Sequence, residues 1–139
     1  FRLQELLGMK TEQVNIKDWY FEGGIKTAAG KCRIVPIHDR IKPFVKALVD
    51  EGNKYLFTYQ GKKFSQANYY KCWGEVMEKI GADKTPHEAR HTFETNLDNA
   101  KGNRKCIDML MGHKSKDVGN RVYNHKTIEQ LRETVALLK

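Results

Sequence analysis

The 139-residue chain has no run of apolar residues near the roughly 20 that a membrane-spanning helix needs, and its first residues lack the basic-then-apolar pattern of an export signal. Cysteine is sparse. The three, at positions 32, 72 and 106, form no close-spaced metal pair and cannot all be joined internally. That usage fits a reducing compartment, hence a cytoplasmic protein. With three prolines, no internal repeat and no low-complexity tract, collagen-like, disordered and small disulfide-scaffold classes are excluded. Acidic residues are in deficit: 17 Asp and Glu against 25 Lys and Arg leave a formal charge of +8. Such an excess favours anionic partners, nucleic acid ahead of an acidic membrane surface, because clustered Lys and Arg displace counterions from phosphates.

What is present suffices for one domain over residues 1–139. A chain of this length buries roughly 68–70% of its unfolded surface and needs no covalent staples. Phe1 is not a start residue, so the chain reads as a fragment of a longer one.

Phe1 to Leu7 has the pattern of the last turns of a helix, stopped at Gly8. Strand signals follow at Val14 and Ile16, at Trp19 to Phe21, and at Arg33 to Ile37, with turns at Gly23-Gly24 and Ala28-Ala29-Gly30 between them. They predict a small antiparallel sheet with exposed hairpins. Helical spacing then takes over. Ile41, Phe44, Val45, Leu48 and Val49 lead to Gly52, Leu56-Phe57 reads as a short buried segment, and Ser65 caps a helix with the stripe Tyr69, Trp73, Val76, Met77 and Ile80. Thr85-Pro86-His87-Glu88 combines a capping box with Pro at the first helical position. On the helix it starts, Ala89, Phe93, Leu97 and Ala100 form the expected buried stripe, while His87, Arg90, His91 and Glu94 share another face. A short helix carries Cys106, Ile107, Leu110 and Met111 to Gly112, and Thr127 with Gln130 caps a last one. Its stripe Ile128, Leu131, Val135 and Leu138 would dock either on a neighbouring protomer or on its own domain.

Two chemistries compete for His87 to His91. The string satisfies H-E-x-x-H, in which two His one turn apart hold zinc and Glu acts as base. Here Glu88 is engaged by the capping box, Arg90 would stand beside the metal, and no third ligand presents itself. The phosphate reading uses the same residues better: a helix N-terminus favours an anion near Pro86 and His87, and Arg90 one turn on adds a bidentate guanidinium.

Arg2 with Glu5, Lys26, His87-x-x-Arg90-His91, Leu110-Met111-Gly112-His113 and Tyr123, in that order, resemble the tyrosine recombinases, the phage-integrase family. The most specific parts are Pro86 to Phe93 and Gly112-His113 followed ten residues later by Tyr123, and the sequence looks most like integrases of phages and conjugative transposons. The resemblance implies an α+β fold, mainly helical with a small three-stranded antiparallel sheet, acting as a catalytic domain without its upstream core-binding domain. It implies site-specific DNA cutting and rejoining: Arg2 and Arg90 clamp the scissile phosphate, His87 and His113 bond it or manage the tyrosine proton, and Tyr123 attacks phosphorus to give a 3′-phosphotyrosine. Lys26 would protonate the leaving 5′-oxygen, with Lys31 as rival, while Glu5 orients Arg2 and His91 supports the helix. No cofactor or metal is called for. Double-stranded DNA attachment sites are the implied partner, with a tetramer on synapsed DNA, no membrane, and a place in the cytoplasm at the bacterial or phage nucleoid. Kept beside this reading are a type IB topoisomerase, which shares the chemistry, a non-catalytic basic DNA-binding module, and remotely a zinc hydrolase. Tyr123 as a core aromatic and Lys26 as a hairpin-edge lysine are the plain alternatives for those two residues.

Overall fold

In a computed structural model, residues 1–24, 33–113 and 127–139 are described. Lys26, Lys31 and Tyr123, and with them the expected second turn and the segment bearing Val118 and Val122, lie outside these residues.

The chain opens with a short helix, α1 (Leu3–Leu7), ended at Gly8. Three strands follow, β1 (Val14–Asn15), β2 (Tyr20–Gly23) and β3 (Arg33–Pro36), in an antiparallel sheet of order β1-β2-β3. The register sets Tyr20 opposite Pro36 and Gly23 opposite Arg33, so β2 continues through Gly23 where the sequence predicts a turn. After a single 3-10 turn come α2 (Lys42–Asp50) and a hairpin of β4 (Thr58–Tyr59) and β5 (Lys62–Lys63). The sequence reading missed this hairpin because its strands are two residues long and carry no apolar alternation. Its two-residue turn has Gln60 at φ 51° and Gly61 at φ 72°, the positive pair that matches strand twist. Helices α3 (Gln66–Lys79), α4 (Pro86–Asn99), α5 (Arg104–Met111) and α6 (Ile128–Val135) complete the order.

Two cores hold these elements. Met9, Phe21, Ile37, Val45 and Leu56 join the sheet to α2, and Leu97, Cys106, Ile107, Leu110, Met111, Leu131 and Val135 join α4, α5 and α6. The last helix packs on its own domain, against α5 and β3. Arg132 of this helix also donates to the Asp18 carbonyl beside β2.

Periodicity identified which residues share a helix face but not whether anything covers it. Of the stripe expected on α4 only Leu97 is buried; Phe93 is half-buried and Ala89 and Ala100 are exposed. No residue of α3 is buried, and Val76 and Ile80 face solvent, as do Ile41 and Phe44 around the start of α2. No helix among the described residues is long and apolar enough to cross a membrane.

Candidate active site

Arginines converge where α1, β3 and α4 meet. Arg2 immediately precedes α1, and its main-chain N–H donates to Glu5 Oε2 at 2.8 Å, tying down the first turn. Its Nη1 lies 3.7 Å from Glu5 Oε1. The same carboxylate accepts from Arg33 Nη2 at 2.9 Å. Arg33 sits on the inward face of the sheet with its guanidinium 4.5 Å from the centre of the Phe1 ring. Gly23 lies directly opposite Arg33 on β2, and a Cβ there would approach Gln13 Nε2 to 3.1 Å and Phe1 to 3.7 Å.

Arg90 reaches across from α4, and its Nη2 donates to the carbonyl of Met111, one of the orphan acceptors at the end of α5. Arg2 Nη1, Arg33 Nε and Nη1, and Arg90 Nη1 are buried and have no hydrogen-bond partner among the described residues. Electrostatics report the crowding. The Arg90 guanidinium is held below its ordinary pKa by burial, then by Arg2 and Arg33. Among the described residues, three guanidiniums surround the Glu5 carboxylate, an excess of positive charge with donors available for an anion.

His113 is delivered by the turn that ends α5. Gly112 takes a left-handed conformation, φ 65°, its N–H bonds the Met109 carbonyl at 3.0 Å, and the His113 N–H bonds the Asp108 carbonyl at 2.9 Å, a Schellman motif. Arg90 and His113 are thus fixed to the same helix end. His113 Nδ1 lies 3.7 Å from Glu94 Oε1 and 3.8 Å from Asp108 Oδ1. Glu94, Asp108 and His113 place donor atoms within 4.8 Å of one another, but Arg104 bridges both carboxylates at 2.8 Å and also meets Asp98, so an arginine supplies the positive charge there. Those contacts, the Glu94 hydrogen bond foremost, hold the Arg104 pKa above its ordinary value.

The zinc reading of His87 to His91 finds no support. His87 and His91 do face each other, Nε2 to Nε2 at 3.0 Å, yet no third ligand joins them among the described residues. Glu88, the base of that scheme, accepts from the Thr85 N–H at 2.8 Å and from its hydroxyl at 2.9 Å. The same capping box corrects the expectation of an open helix N-terminus: Pro86 has no N–H, Thr85 Oγ1 takes the Glu88 N–H, and the Glu88 carboxylate already occupies the positive end of the dipole. Among the described residues, the buried donors without a hydrogen-bond partner lie in the arginine cluster. The structure brings Arg2, Glu5 and Arg90 together and adds His113 through the end of α5, whereas His87 is engaged with His91 on the exposed face of α4. Arg33 was read only as a strand residue. The available signal was a charged residue in an otherwise apolar strand.

A sequence model of the phage integrase family matches residues 1–130. The tyrosine recombinase XerA of Pyrococcus furiosus is 30% identical, over 96% of this chain and 49% of its own length. A crystal structure of XerA recombinase superposes with a TM-score of 0.70 at 26% identity, covering 95% of this chain and 51% of the other. A Tn1549 transposon integrase, solved in complex with circular intermediate DNA, superposes with a TM-score of 0.68 over 96% of this chain and 52% of its own; at 24% identity it shows a shared fold. The chain spans about half the length of the relatives it matches.

Proposed function

The chain belongs to the phage integrase family, and from that premise we propose that it is the catalytic domain of a tyrosine recombinase that cuts and rejoins double-stranded DNA at the attachment sites of a mobile element. The observation that carries the reading is the arginine cluster: Arg2 and Arg90, far apart in sequence, present buried donors without a hydrogen-bond partner, and Arg90 bonds the end of α5 from which His113 follows. A scissile phosphodiester enters as a monoanion, and attack by tyrosine adds a second charge in the pentacoordinate transition state. Donors positioned before the reaction stabilise the later state more than the earlier one.

In this mechanism the Tyr123 oxygen bonds to phosphorus as the bond to the 5′-oxygen breaks. His113 or His87 takes the phenol proton and Lys26 gives one to the leaving oxygen, with Lys31 as rival. The products are a 3′-phosphotyrosine and a free 5′-hydroxyl. The phosphodiester energy is retained in the covalent link, so attack by another 5′-hydroxyl rejoins DNA without ATP. The protein would act in the cytoplasm as a tetramer on synapsed sites, joined to a further domain that grips the opposite face of the duplex; the partial coverage of its relatives agrees with this. The test is an adduct assay on nicked attachment-site DNA in excess chelator. A protein–DNA adduct that survives denaturation is expected from the wild type and not from Tyr123→Phe. Absence of adduct without added metal, or its persistence in Tyr123→Phe, overturns the reading.

A further inference from the structure

Arg33 is the one buried cation among the described residues, and the roles assigned above do not use it. Its side chain is 4% exposed, and Glu5, which it meets at 2.9 Å, is 3% exposed. Burying a charged pair is a weak way to stabilise a fold, since an apolar pair of similar volume generally serves as well or better. Arg33 also leaves Nε and Nη1 without a partner among the described residues, where a pair kept for stability would have its donors satisfied. Glu5 gives the arrangement another sense. It holds the Arg2 main chain at 2.8 Å and faces the Arg2 guanidinium at 3.7 Å. Were Arg33 absent, a carboxylate so placed would offset more of the charge of the arginine it faces.

We infer that Arg33 is a positioning residue of the phosphate pocket: it neutralises Glu5, so that Glu5 braces Arg2 without discharging it and the cluster keeps its excess of positive charge. This rests on the reading that Arg2 and Arg90 bind phosphate. That excess suits the transition state of phosphoryl transfer, in which the phosphodiester carries one negative charge at the start and two at the pentacoordinate stage. The field of Arg33 reaches Arg90 as well, lowering its affinity for a proton together with Arg2. Removing Arg33 takes one positive charge from the cluster and leaves Glu5 to weigh more heavily on the remaining guanidiniums.

The test needs no DNA site. The Nε–Hε NMR signals of Arg2 and Arg90 are followed in the ¹⁵N-labelled chain during titration with inorganic phosphate at low ionic strength, where charge effects are least screened. Arg33→Met, which keeps volume and loses charge, should weaken phosphate binding at least about tenfold. Arg33→Lys keeps a cation against Glu5 and should stay within about threefold of wild type. Arg33→Met combined with Glu5→Gln removes both charges and should regain most of the affinity lost in the single variant. A purely structural Arg33 predicts a lower melting temperature with unchanged phosphate affinity in the folded protein. That result, or a double variant no better than Arg33→Met, overturns the inference. If Arg33→Met does not fold, Arg33→Lys decides, because a tenfold loss with the charge retained contradicts the proposal. A wild-type chain whose Arg2 and Arg90 signals ignore phosphate overturns the pocket itself, a failure distinct from that of the Arg33 variants.

Discussion

Gly112 offers the sharpest check on how the fold sets the site, because one dihedral angle connects stability to the placement of two functional side chains. At φ 65° and ψ 37° it occupies the left-handed region, where a Cβ crowds the adjoining carbonyl. Alanine there costs about 1–2 kcal/mol, offset by up to about 1 kcal/mol from the reduced freedom of the unfolded chain. The net loss is about 1 kcal/mol. For a chain intermediate between the usual size classes this lowers the melting temperature by about 3–5 °C. Asparagine, which tolerates the left-handed region, should lose less than alanine, and valine, branched at Cβ, should lose most. Circular-dichroism melts of Gly112→Asn, Gly112→Ala and Gly112→Val at neutral pH give the order. The site should suffer more than the fold, since the same turn fixes the Met111 carbonyl that holds Arg90 and the His113 N–H that bonds Asp108. Adduct formation at a temperature where all variants are folded should therefore fall in the same order. Alanine equal to glycine in both assays would refute the conformational argument.

Leu97, fully enclosed between α4 and α5, should cost about 2–5 kcal/mol when replaced by alanine, read as a lower urea midpoint with an unchanged slope. Glu88 is held below the ordinary carboxylate pKa by the Thr85 N–H and then the Thr85 hydroxyl, so its contribution is present above that ordinary value and is lost as pH falls through the depressed one. The melting-temperature gap between wild type and Glu88→Ala should accordingly be open at neutral pH and close in strong acid; a gap independent of pH contradicts the capping argument. With sulfur in place of the bridging 5′-oxygen, whose thiolate leaves without an acid, cleavage should return to Lys26→Ala but not to Arg90→Ala, and selective rescue of Lys31→Ala instead would transfer the role.

The sequence showed most where local rules act alone. Thr85 with Glu88 and Thr127 with Gln130 form the capping boxes their spacing requires, and Gly112 ends α5 as a left-handed glycine should. It showed least where the outcome depends on a distant element. Val76 and Ile80 keep helical spacing, yet both are largely exposed, and no feature of α3 alone could reveal that. The β4–β5 hairpin escaped because Lys62 and Lys63 carry no strand pattern. In the site, Arg2, Glu5 and Arg90 were legible as members of an ordered set. Arg33 was not, since its contacts are with Glu5 and the Phe1 ring, on another element.

A cluster of three arginines around one carboxylate is unfavourable in isolation, because like charges repel and buried donors without partners lose their water. The surrounding packing shows why the fold can carry it. Met111, whose carbonyl holds Arg90, is 2% exposed in the same core as Leu97 and Leu131. Val35, two residues after Arg33 on β3, packs against that core from the other side. The arginines are thus mounted on elements already tied together by apolar burial, each large side chain of which contributes about 1.5–3 kcal/mol. With its backbone anchors secured elsewhere, the cluster need not be stable by itself. Its uncompensated charge can remain available for an anion, and phosphate binding should stabilise the whole chain by relieving a repulsion that the core tolerates.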